Sequence, residues 1–114
     1  METQEDAQDF LNTCDGMLES LATDSESLYQ TFEELFGRVT DRASFSSFYT
    51  RFIQSCPNPK IAEGHDSEEE AMKLWATIDA NHNNLLDKEE CRSLVEATIK
   101  KSMELTRNFF GMNN

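Results

Sequence analysis

Apolar residues recur at steps of three and four along most of the chain, a period that one face of an α-helix satisfies and a β-strand does not. The first stripe runs through Ala7, Phe10, Leu11, Cys14, Met17, Leu18 and Leu21. A second segment opens at Thr23-x-x-Glu26, the pattern of a capping box, and is expected to bury Leu28, Phe32, Leu35 and Phe36. A third places Phe45, Phe48, Tyr49, Phe52, Ile53 and Cys56 on one face. A fourth presents Ala71, Leu74, Trp75 and Ile78, and a fifth Leu94, Val95, Ile99, Met103 and Phe110. No alternation of period two runs long enough for a strand. With only 4 Gly and 2 Pro in 114 residues, turns are few and helices long. The expected fold class is all-α.

The breaks fall where the chemistry demands them. Gly37 suits a helix stop, because glycine adopts the left-handed conformation at no steric cost. Pro57 and Pro59 cannot continue a helix, so residues 57–66, PNPKIAEGHD, read as a linker. Ser67-x-x-Glu70 follows as a second capping box, with Glu68, Glu69 and Glu70 in a first turn where the helix dipole favours carboxylates. A chain of this length carries one domain. Its parts are an N-terminal helix over 5–22, a helical pair over 24–56, the linker, and a second helical pair over 67–110.

Net charge is −12 and unevenly spread. Residues 1–37 hold ten acids and no Lys or Arg, whereas 38–60 hold Arg38, Arg42, Arg51 and Lys60 against Asp41 alone. Such a surface repels phosphate backbones and anionic lipid, so neither nucleic acid nor membrane is an expected partner. It attracts cations and basic peptides. Cys14, Cys56 and Cys91 are odd in number and lack a CxxC spacing, which supports neither a disulfide framework nor a zinc site. A reducing, intracellular compartment fits them, and the N-terminus METQEDAQDF lacks the basic and apolar regions of a secretory signal.

Residues 79–90, DANHNNLLDKEE, set oxygen-bearing side chains at alternate positions between two apolar-periodic segments. Counted from Asp79, donors fall at positions 1 (Asp79), 3 (Asn81), 5 (Asn83), 9 (Asp87) and 12 (Glu90), with the backbone carbonyl of Leu85 at 7. Calcium is a hard cation wanting about six to eight oxygens at roughly 2.4 Å, which short Asp and Asn side chains on a tight loop supply together. The alternative is a polar interhelical loop with a capped second helix. That alternative leaves the coincidence of donor spacing with the flanking apolar positions Trp75, Ile78 and Leu86 unexplained.

On these residues the stretch resembles the EF-hand family, of the calmodulin and troponin C type, over about residues 68–103. The resemblance implies one Ca²⁺ per chain, held by Asp79, Asn81, Asn83, Leu85, Asp87 and Glu90, with Glu90 binding through both oxygens. His82, at position 4, is not a ligand in that family, and Leu86, at position 8, bridges to a partner loop. Asn84 stands at position 6 where the family carries Gly; Asn is the next most tolerant residue of positive φ. Asn at positions 3 and 5 lowers the ligand charge and implies affinity on the order of micromolar or weaker.

EF-hands come in pairs, and the upstream candidate is a degenerate hand over 24–56. A loop counted from Gly37 keeps only Asp41 as a carboxylate and ends on Phe48. The implied architecture is an EF-hand pair with an additional N-terminal amphipathic helix. That helix completes the core, docks into the groove of the lobe, or pairs between chains; the first reading is preferred. With His65 and His82 apart and no nucleophile constellation, catalysis is not expected. The expected function is a calcium-binding regulatory module whose target is a protein or peptide such as a basic amphipathic helix, the chain being a monomer or homodimer. A structural subunit stabilised by calcium and a calcium buffer remain the alternatives.

Overall fold

The computed structural model describes residues 4–36, 39, 41–78 and 88–111. Helices α1 (Gln4–Thr23), α2 (Ser25–Phe36), α3 (Arg42–Gln54), α4 (Pro59–Ala62), α5 (Glu68–Ile78) and α6 (Lys88–Phe110) follow one another, and no strand occurs among the described residues. The all-α expectation holds. Its radius of gyration, 13.8 Å, is close to the value of about 13 Å expected of a compact chain of this length.

Packing converges on α3. Phe45, Phe48, Tyr49, Phe52 and Ile53 lie on its inner face at no more than 1% exposure. Phe32 of α2 stacks over Phe48 at 5.4 Å and edge-on to Phe52 at 5.9 Å, and Trp75 of α5 meets Phe45 at 6.2 Å. These separations lie in the attractive range for tilted aromatic pairs. One helix thus joins α2 to α5 through a single cluster.

α1 packs along α6 and against α2. Ala7, Leu11, Cys14 and Leu21 are buried, so the N-terminal stripe completes the core as preferred from its periodicity. On the α6 side Thr98, Ser102 and Thr106 are fully buried, and each hydroxyl donates to a carbonyl of its own helix: Leu94 at 2.8 Å, Ile99 at 2.7 Å and Ser102 at 2.8 Å. Buried polar groups cost little once satisfied in this way.

Three expectations are corrected. Thr23 does not cap α2: it is the last residue of α1, its hydroxyl donating to Glu19 O, and Asp24 caps instead by accepting from Ser27 N at 3.3 Å. Leu35 is 61% exposed, although it shares a helical face with the buried Leu28 and Phe32. Residues 57–66 are no loose linker. Asn58 caps the single turn of α4, whose Ile61 and Ala62 are buried, and α3 holds the remainder: Tyr49 Oη donates to His65 O at 2.8 Å and Thr50 Oγ1 to Asp66 O at 2.9 Å. Ser67 caps α5 as its pattern predicts, accepting from Glu70 N at 3.3 Å.

Phe48→Ala should destabilise the fold by about 3–5 kcal/mol, since it empties the junction of α2 and α3, whereas Leu35→Ser should leave stability nearly unchanged. Chemical denaturation of both variants checks the contrast.

Candidate metal centre

α5 ends at Ile78 and α6 begins at Lys88, so the nine residues 79–87 connect them. Asp79, Asn81, Asn83, Leu85 and Asp87 lie outside the described residues, as do His82, Asn84 and Leu86. Glu90 is described. It stands in the first turn of α6 at 7% exposure, the one buried carboxylate among the described residues. A carboxylate withdrawn from water is costly unless cations or hydrogen-bond donors compensate it. Among the described residues no group of three or more His, Cys, Asp or Glu is placed to hold a metal.

The helices on either side present apolar faces to the core. Trp75 is 5% exposed, Leu94 and Val95 are at most 1% exposed, and Ile78 is half-buried at the end of α5. Glu70, opposite on α5, accepts from Lys73 and Lys101, each at 3.4 Å. Burial alone would raise its carboxyl, but hydrogen bonds and charge from Lys101 and Lys73 outweigh that and hold it below the usual range.

The upstream connection is built differently. Only residues 37–41 separate Phe36 from Arg42, five against nine. The second half of the loop counted from Gly37 is therefore helix, and Phe48, its twelfth position, is a fully buried core residue. Asp41 closes a complete capping box. Its carboxylate accepts from Ser44 N at 2.9 Å and Ser44 Oγ at 2.8 Å, while Asp41 N donates back to Ser44 Oγ at 2.9 Å. Donation from Ser44, backbone first and hydroxyl second, holds the Asp41 carboxyl below its ordinary value. Asp41 is also one side of an isolated β-bridge. Sequence reasoning treated this residue as a leftover ligand; the pattern Asp41-x-x-Ser44 was the available signal for a cap.

Among the described residues, α6 reaches the upstream connection through Cys91. Cys91 Sγ, one residue past Glu90, donates to Val39 O at 3.9 Å. Burial pushes the Cys14 and Cys56 thiols up to about 11 and raises Cys91 as well. Thiols held protonated at neutral pH make poor nucleophiles.

No protein-family model matches the chain, and no curated protein or solved structure matches it at a significant level. Among the described residues no helix is long and apolar enough to cross a membrane.

The depressed carboxyl of Asp41 carries a pH signature. Its contribution to stability is fully present above the ordinary value of 3.8 and is lost as pH falls through the lower folded value. Asp41→Asn retains a capping oxygen without the charge. The difference in melting temperature between wild type and Asp41→Asn should therefore be constant near neutrality and shrink toward zero in acid, as measured by thermal melts at stepped pH.

Proposed function

We propose that this chain is a non-enzymatic calcium-binding module of EF-hand type. One Ca²⁺ would be held over residues 79–90 by Asp79, Asn81, Asn83, the Leu85 carbonyl, Asp87 and Glu90. The observation that carries this reading is the placing of Glu90. Position 12 of the donor pattern is a buried carboxylate in the first turn of the helix that leaves a nine-residue connection. A solvated capping loop has no need to bury that side chain, whereas a bidentate ligand reaching back from an exiting helix must lie inward.

Bound calcium supplies a hard, doubly charged centre that offsets the cost of burying a carboxylate. Glu90, on binding, draws the first turn of α6 toward the connection, and Leu94 and Val95 follow on the same helix. Because α6 packs on α1, α3 and α5, a small rotation of it repacks several interfaces at once. This is how a local charge event becomes a change in the surface offered to a partner. The described acids of α1 and α2 are all exposed, which suits a basic amphipathic helix as that partner.

The upstream connection supports a stoichiometry of one. It is four residues shorter, and its single carboxylate is engaged in the cap of α3.

Calorimetric titration should give one Ca²⁺ per chain, and the emission of Trp75, the only Trp, should follow the same isotherm. Glu90→Gln keeps the shape but weakens a bidentate charged donor. Affinity should fall at least about tenfold, on the order of 1.4 kcal/mol. Two comparable sites would refute the stoichiometry, and an identical titration of wild type and Glu90→Gln would leave the segment a capped loop.

A further inference from the structure

No further inference is drawn: the strongest candidate, the acidic outer face of α1 and α2 that ends at the exposed Leu35, is a cluster of carboxylates beside an apolar side chain, and nothing in the structure shows what covers it.

Discussion

The aromatic face of α3 is the constraint on which the other helices depend. Phe32 from α2 and Trp75 from α5 pack on the same run of Phe45, Phe48 and Phe52, so the upstream and downstream helical pairs share one core. Aromatic rings bury large areas with few rotatable bonds, so a cluster of them fixes interhelical positions as well as stabilising them. The same helix holds the start of α5 from its other edge. Tyr49 and Thr50 donate to the carbonyls of His65 and Asp66, and Gln54 Nε2 donates to Asp66 Oδ2 at 2.9 Å. Where α5 begins, and hence where it delivers Ile78 to the connection after it, is set by α3.

α6 is governed differently. Its buried hydroxyls are satisfied within the helix, and among the described residues Cys14 Sγ of α1 approaches Ser102 Oγ at 3.9 Å. Apolar burial and long-range charge hold the pair. α1 carries acids and no bases, whereas α6 contains Lys88, Arg92, Lys100, Lys101 and Arg107. Directional contacts hold α6 elsewhere: Lys101 Nζ donates to Glu70 Oε2 of α5 at 3.4 Å, and Cys91 Sγ to Val39 O at 3.9 Å.

How far the sequence could be read follows from this division. Periodicity of three and four located the long helices and most of the core, because burial of one face is a local consequence of that period. Leu35 escaped, since the period sets it on one face with the buried Leu28 and Phe32, yet it is exposed. Thr23 and Asp24 both look like caps, and only the run of α1 through Thr23 selects Asp24. The clamp on residues 57–66 has no local signature: Tyr49 and His65 are sixteen residues apart and meet only once α3 and α5 have packed. The candidate site was legible as a spacing of oxygen donors, and of that set Glu90 is the ligand whose surroundings are described.

The two connections differ in length and in where their carboxylates are engaged. The upstream one spans five residues and is closed by a capping box that occupies its only carboxylate. Nine residues span the downstream one, and its last proposed ligand, Glu90, is buried in the first turn of α6. α5 is anchored through α3, and α6 packs on α1, α3 and α5. The N-terminal helix buries Leu11, Cys14 and Leu21 in the core that Leu94, Val95 and Ile99 of α6 also line. Its exposed side carries Glu5, Asp6, Asp9, Asp15 and Glu19 and no Lys or Arg.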